Sequence, residues 1–190
     1  MAAPSKVSAA SDSAVFLATK RFDPSDGEKW DGYFAWAKIP ALTELVSLDG
    51  LLCSRVVEEI VDEDWKYIVC ENDRLDCFHD FDYLKRRVRD VSRVNLLGVY
   101  RNPETHISQP PAGGTFSFVG YDLIEEATQI SALTNCGGFP DVFLNAELNR
   151  FGLIGDFDRA VEVQRQLSER HPEEPHAQCE LYAIWRLDEA

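Results

Sequence analysis

The sequence predicts an α+β fold, in which a mostly antiparallel sheet with flanking helices is followed by a C-terminal helical hairpin or three-helix segment. Up to residue 134, short runs rich in β-branched and aromatic residues alternate with helical apolar periodicity. From Asn135 onward, the apolar spacing is that of helices separated by glycine and proline. We therefore expect a disordered lead-in over 1–12, an α+β body over 13–134, and a helical part over 135–190 packed on the same core.

Five strands are predicted in the α+β body. Residues 65–70 and 75–78 should form an antiparallel hairpin, because turn residues separate two β-rich runs. The other strands are expected over 13–19, 95–100 and 115–124. Residues 42–61 fit either a strand or a helix.

Two helices are predicted in the same body. Apolar side chains at i, i+3, i+4 and i+7 should form the buried face of the first helix: Trp30, Tyr33, Phe34 and Ala37. Ser25 and Glu28 have the spacing of a capping box at its start. Asp80 should be the N-cap of the second helix.

The C-terminal part is predicted to contain three helices. The first carries Val142 and Phe143, Asp156 caps the second, and the third carries Leu181, Ile184 and Trp185. The run from Leu153 to Ala160, followed by Pro172 and then His176-Ala177, resembles one tetratricopeptide unit. This resemblance covers a single repeat and therefore implies a local helical hairpin, since a superhelix needs about three repeats.

The charge balance favours a basic partner over a nucleic acid. Asp and Glu number 33 against 19 Lys and Arg, which gives a formal net charge of −14. A field of this sign repels phosphate backbones and speeds encounter with basic proteins. The basic residues at 85–93 should pair with acids inside the fold.

The cysteines indicate a reducing compartment. Five of them occur at irregular spacings without a CxxC motif, as is typical of reduced thiols in a cytoplasmic protein. We therefore expect a cytoplasmic location. The apolar run at 14–18 is too short for a signal peptide, and no segment is long enough to span a membrane.

The acidic run that begins at residue 58 is a candidate docking face, because a large aromatic side chain surrounded by carboxylates is typical of an interface anchor with an acidic rim. Its residues are Glu58, Glu59, Asp62, Glu63, Asp64 and Trp65. The alternative interpretation is that these acids are ordinary solvated turn residues.

The glycine-rich loop at 135–138 is a candidate pocket, formed by Asn135, Cys136, Gly137 and Gly138. A cysteine before a helix could be a nucleophile, but no histidine has a diagnostic spacing to it. The alternative is a packed thiol beside glycines with positive φ. Cys70, Cys77 and His79 do not have zinc-ligand spacing, so no metal and no cofactor is predicted.

The sequence therefore favours a non-enzymatic acidic interaction protein that binds a basic protein partner, with an immunity- or inhibitor-type protein as one concrete form. Two alternatives stay open. One is a small cysteine- or carboxylate-dependent hydrolase with a pocket near Cys136. The other is a helical adaptor that acts through residues 140–187. Neither nucleic-acid nor membrane binding is expected, and no oligomeric state is assigned.

Overall fold

A five-stranded antiparallel sheet forms the centre of the fold. The computed structural model describes residues 13–57, 59–69, 77–88, 92–125 and 127–188. The strands are β1 (Val15–Lys20), β2 (Val94–Arg101), β3 (Phe116–Glu125), β4 (Ile130–Ser131) and β5 (Cys179–Leu187), and they lie in the order β1-β2-β5-β3-β4. The α+β class and the mostly antiparallel sheet are therefore confirmed.

Within the described residues, three α-helices accompany the sheet: α1 (Glu28–Ala37), α2 (Phe81–Arg87) and α3 (Phe157–Arg170). The Asp80 carboxylate accepts a hydrogen bond of 2.7 Å from the Tyr83 amide at the start of α2. The Asp156 carboxylate accepts one of 2.8 Å from the Arg159 amide at the start of α3. Both predicted N-caps are confirmed.

The capping box before α1 differs from the predicted Ser25–Glu28 pair. Pro24 begins a short 3-10 turn, and the Asp23 carboxylate accepts from the Ser25 amide at 2.8 Å. The Asp26 side chain accepts in return from the Asp23 amide at 3.1 Å. The box belongs to this turn because proline favours the first position of a helical turn, where its missing N–H costs nothing.

The sheet is covered on both faces. On one face, strand side chains such as Phe16 and Tyr121 pack with side chains from all three α-helices. On the other face, side chains such as Leu97 and Ile184 pack against irregular segments around residues 46–48 and 151–153. The central strands are therefore buried on both sides.

The predicted third C-terminal helix is wrong, because residues 179–187 form β5 in the middle of the sheet. Ile184 of this strand aligns with Val99 of β2 and Gly120 of β3. A strand buried on both faces has a continuous apolar run, which periodicity alone does not separate from a buried helix. The tetratricopeptide resemblance is not supported, since a strand follows α3.

Three other segments differ from their predictions. The described part of the predicted strand at 65–70 begins within the 3-10 turn Asp64–Lys66. The predicted antiparallel pairing is present only as a bridge between Ile68 and Phe78, beside a hydrogen bond of 2.7 Å from the Val69 amide to the Cys77 carbonyl. The predicted helix after residue 140 is reduced to the 3-10 turn Asn145–Glu147. Residues 42–57 contain only isolated bridges. The predicted lead-in at 1–12 and the turn between 70 and 76 lie outside the described residues.

The aromatic stripe of α1 is buried except at one position. Trp30 and Tyr33 are 5% and 9% exposed, and Ala37 is buried as well, as predicted. Phe34 is 43% exposed, which differs from the prediction. Its ring lies 6.2 Å from that of Trp30, at the solvent edge of the aromatic cluster.

Candidate functional site

A buried carboxylate anchors the turn that carries the predicted docking face. Asp64 is fully buried. It accepts hydrogen bonds from the Tyr83 hydroxyl at 2.6 Å and from Arg87 Nε at 2.7 Å, both on α2. Its second carboxylate oxygen accepts from Arg87 Nη2 at 3.0 Å and from the Val61 amide at 2.8 Å. The turn is therefore fastened to α2 by one side chain.

The electrostatics of this anchor favour a charged Asp64. Burial opposes the negative charge, but hydrogen bonds from Arg87 and Tyr83 outweigh it and hold the pKa of the Asp64 carboxyl below its ordinary value. Burial and the hydrogen bond to Asp64 raise the pKa of Tyr83 to about 12. Arg87 also donates to the Glu59 carbonyl at 2.8 Å. Its ion pair with Asp64 confirms, for this one residue of the basic segment, the predicted pairing with an acid inside the fold.

A second contact fixes the other side of the turn. The ring of Tyr67 stacks on that of Tyr83 with centroids 3.8 Å apart and an interplanar angle of 13°. The imidazole of His79 also stacks on the ring of Tyr67, with centroids 5.7 Å apart. Since Asp64 and Tyr67, on either side of Trp65 in the chain, are both held by α2, the backbone of Trp65 has a defined position.

Trp65 itself points into solvent. It is 66% exposed, whereas its neighbour Asp64 is buried. Val61 and Val69 are also exposed on the same segment, at 40% and 43%. This segment therefore exposes three large apolar side chains, of which Trp65 is the most exposed.

The carboxylates around Trp65 divide into two groups. Glu59, Asp62 and Glu63 are exposed, and Lys66 is the exposed base of the described segment 59–69. Asp64 was predicted to belong to the docking face, but it lies in the interior. Its charge is paired with Arg87 and is therefore not available to a partner. Glu58 lies outside the described residues. This arrangement is able to attract a basic surface and bury an aromatic anchor in it.

The loop at 135–138 has the backbone predicted for it. Gly137 and Gly138 have φ of 84° and 79°, which favours glycine at both positions. Cys136 is half-buried, and its thiol donates to the Ala132 carbonyl at 3.1 Å. Burial raises the pKa of the Cys136 thiol, and this is opposite to the shift that activates a nucleophile.

The histidines do not complete a thiol site. His79, His106 and His171 hydrogen-bond to groups elsewhere in the fold, and His176 Nδ1 is buried without a partner. Among the described residues, none of them hydrogen-bonds the Cys136 thiol. The same part of the chain contains no group of three or more His, Cys, Asp or Glu that could hold a metal ion.

Sequence reasoning missed a buried pair of carboxylates. Asp49 and Asp122 are both fully buried. Ser131 connects them, because its amide donates to Asp49 at 2.8 Å and its hydroxyl to Asp122 at 2.7 Å. Asn135 of the glycine-rich loop donates to Asp49 at 2.8 Å. Burial raises the pKa of Asp122, partly offset by hydrogen bonds from Ser47 and Ser131. The signal for this pair in the sequence was the presence of polar residues within otherwise apolar runs.

This buried cluster joins distant parts of the chain. The Asp49 carboxylate also accepts from the amides of Leu51 and Leu52, at 2.9 and 3.0 Å. Asp122 accepts from the Leu48 amide at 3.2 Å as well. Because the donors surround both carboxylates, the cluster is a cross-link between β3, β4 and the loop at 47–52.

None of the helices formed by the described residues is both long and apolar enough to cross a membrane.

Comparisons with models of known protein families, with curated proteins and with solved structures found no match. The function is therefore inferred from the chemistry of the site.

Proposed function

We propose that this protein is an acidic interaction protein that docks a basic protein partner through Trp65 and its exposed rim of Glu59, Asp62 and Glu63. The observation that carries the proposal is the 66% exposure of Trp65 on a turn with three exposed carboxylates. Tryptophan is enriched among the residues that dominate binding energies, and rim charges select the sign of the partner.

The anchoring of the turn supports this function energetically. Association loses side-chain and loop freedom, and a loop that is already ordered loses less. The Asp64–Arg87 pair and the Tyr67–Tyr83 stack order the turn before any partner arrives. Trp65 is thus preorganised as an anchor, and its exposure is not a consequence of a loose chain.

The charge of the whole chain supports the sign of the partner. A net charge of −14 steers cationic proteins toward this surface and raises the association rate. An immunity- or inhibitor-type protein that neutralises a cationic toxin or nuclease is the concrete form of the proposal. Such a partner would present lysine or arginine around an apolar depression that accepts the indole.

The test combines partner capture from the native host with kinetics on the isolated partner. The immobilised full chain captures the partner, and surface plasmon resonance then measures both rate constants. Trp65→Ala should mainly speed dissociation, because a desolvated anchor holds the complex together. Glu63→Lys should mainly slow association and weaken its salt dependence, because rim charges act on encounter.

Two matched variants serve as controls. Trp36→Ala removes a tryptophan that is 50% exposed on α1, and Glu173→Lys reverses an exposed acid near the end of α3. Both should leave the dissociation rate unchanged. If Trp65→Ala binds normally, or if either control weakens the complex as much as the variants of the turn do, the docking face lies elsewhere and the proposal fails.

A further inference from the structure

A cleft with two arginines opens where β3 and β5 pair near the end of the described chain. Its volume is about 290 Å³, and its lining includes Ser117, Arg150, Phe151, Arg186, Leu187 and Asp188. Ser117 and Arg186 are directly paired across the two strands. None of these residues belongs to the docking face around Trp65, so the cleft is independent of the proposed function.

Both guanidinium groups lie over one aromatic ring. The central guanidinium carbons of Arg150 and Arg186 are 4.5 Å and 4.9 Å from the centroid of the Phe151 ring. The negative face of an aromatic ring attracts a cation, so the Phe151 ring positions both guanidinium groups at the cleft.

The nearby carboxylates compensate only part of this charge. Glu44 accepts a hydrogen bond of 2.7 Å from Arg186 Nη1 and lies 3.7 Å from Arg21 Nε, so it is shared between two arginines. Arg150 is exposed, and within the described part of the chain its guanidinium has the Phe151 ring as its contact but no hydrogen-bonded acceptor. Its planar set of donors is free to bind an anion.

We propose that this cleft binds a small organic carboxylate. Arg150 is the main ligand of the carboxylate group, Arg186 adds a second positive charge, and Leu187 faces the apolar body of the ligand. The Phe151 ring lies under the two guanidinium groups and positions them. Asp188 also lines the cleft, and its negative charge disfavours a dianion. A singly charged carboxylate is therefore preferred over inorganic phosphate, although guanidinium groups bind both.

The test is a titration of the full chain with benzoate, benzamide and inorganic phosphate, followed by NMR of the arginine side chains and backbone amides. Benzoate should shift the signals of Arg150, Arg186 and Ser117 in a saturable manner. Benzamide has nearly the same shape without the charge, and it should bind about tenfold more weakly because the charge-assisted hydrogen bonds are lost. Phosphate should also bind more weakly than benzoate.

Variants separate a built site from general attraction to exposed cations. Arg150→Gln keeps length and polarity, and it should weaken benzoate about tenfold without lowering the melting temperature. Arg165→Gln, at an exposed arginine of α3, should leave benzoate binding unchanged. Equal binding of benzoate and benzamide, shifts that spread over the whole surface, tighter binding of phosphate, or unchanged affinity in folded Arg150→Gln would each overturn the proposal.

Discussion

The carboxylates of Glu63 and Asp64 are adjacent in the chain, but only that of Glu63 contacts solvent. Asp64 is enclosed by donors from Val61, Tyr83 and Arg87. The buried acid therefore stabilises the turn, and the exposed acid is available to a partner. A buried carboxylate with a guanidinium partner is costly to disrupt, because removal of one member leaves the other charge without compensation.

Asp64→Asn should consequently destabilise the protein by about 2–3 kcal/mol at neutral pH, since it removes charge-assisted hydrogen bonds. The folded-state pKa of Asp64 is lowered, so its contribution is fully present above the unfolded pKa and is lost as pH falls through the folded one. The difference between variant and wild type should therefore shrink below about pH 4. Urea denaturation across pH measures this difference.

Two comparisons make the result specific to Asp64. The raised pKa of Asp122 has the opposite effect, because its contribution is present at low pH and is lost as pH rises. This contribution is common to both proteins and cancels in the difference. Trp65→Ala should change stability by no more than about 0.5 kcal/mol, as expected for an exposed side chain. A difference between Asp64→Asn and wild type that stays constant down to the acid transition would contradict a charged Asp64.

At the scale of elements, the sequence predicted local structure well where the signal is local. Helix α2 and helix α3 begin at the predicted caps because a single side chain makes each cap. Strand β5 was missed because Leu181, Ile184 and Trp185 have helical spacing. In the strand, Leu181 and Trp185 are buried on one face of the sheet, and Ile184 is buried on the other. Whether a segment is buried on one face or on both depends on the rest of the fold, so the sequence of the segment alone does not show it.

In the candidate site as well, features with a local signal were predicted and long-range contacts were not. Composition alone identified Trp65 and the acids around it as a surface. Asp64 was assigned to that surface because its neighbours in sequence are exposed acids. Its partners Tyr83 and Arg87 lie 19 and 23 residues further along the chain, on an element whose position relative to the turn depends on tertiary packing. Contacts of this range have no local signature.

The central position of β5 leads to a prediction for hydrogen exchange. Its residues Tyr182 to Arg186 pair with β2 on one side and with β3 on the other. Amides in the middle of a sheet exchange only through the largest openings of the structure. They should therefore be among the slowest to exchange when peptides are analysed by mass spectrometry. The exposed loop at 104–110 provides the fast reference, and equal exchange rates in the two segments would contradict a central strand.

At the scale of the whole molecule, two surfaces of opposite sign coexist. The acidic rim around Trp65 agrees in sign with the net charge of −14. The cleft at Phe151 concentrates positive charge against that background. We therefore expect the two surfaces to bind ligands of opposite charge, and we expect salt to change the two binding affinities differently. The steering field of the chain favours a cation at the first surface and opposes an anion at the second, so the cleft depends on short-range contacts.

The net charge also makes a prediction about stability and salt. Like charges repel more strongly in the compact state than in the unfolded chain, so a charge of −14 destabilises the fold at low ionic strength. Raising NaCl shortens the screening length from about 30 Å at 0.01 M to about 8 Å at 0.15 M. Exposed ion pairs, such as those of Arg165 with Glu162 and Glu169, contribute little to the stability of the fold. Screening of these pairs by salt therefore removes little stability.

We therefore expect the melting temperature to rise over this range. A gain of about 1 kcal/mol corresponds to about 2–4 °C in a chain of this size, and scanning calorimetry resolves such a shift. Glu104→Lys combined with Glu173→Lys reverses two exposed acids and should reduce the response to salt, because less repulsion is left to screen. A melting temperature that falls with added NaCl would mean that the buried and half-buried pairs of Asp64 and Glu44 outweigh the repulsion of the whole surface.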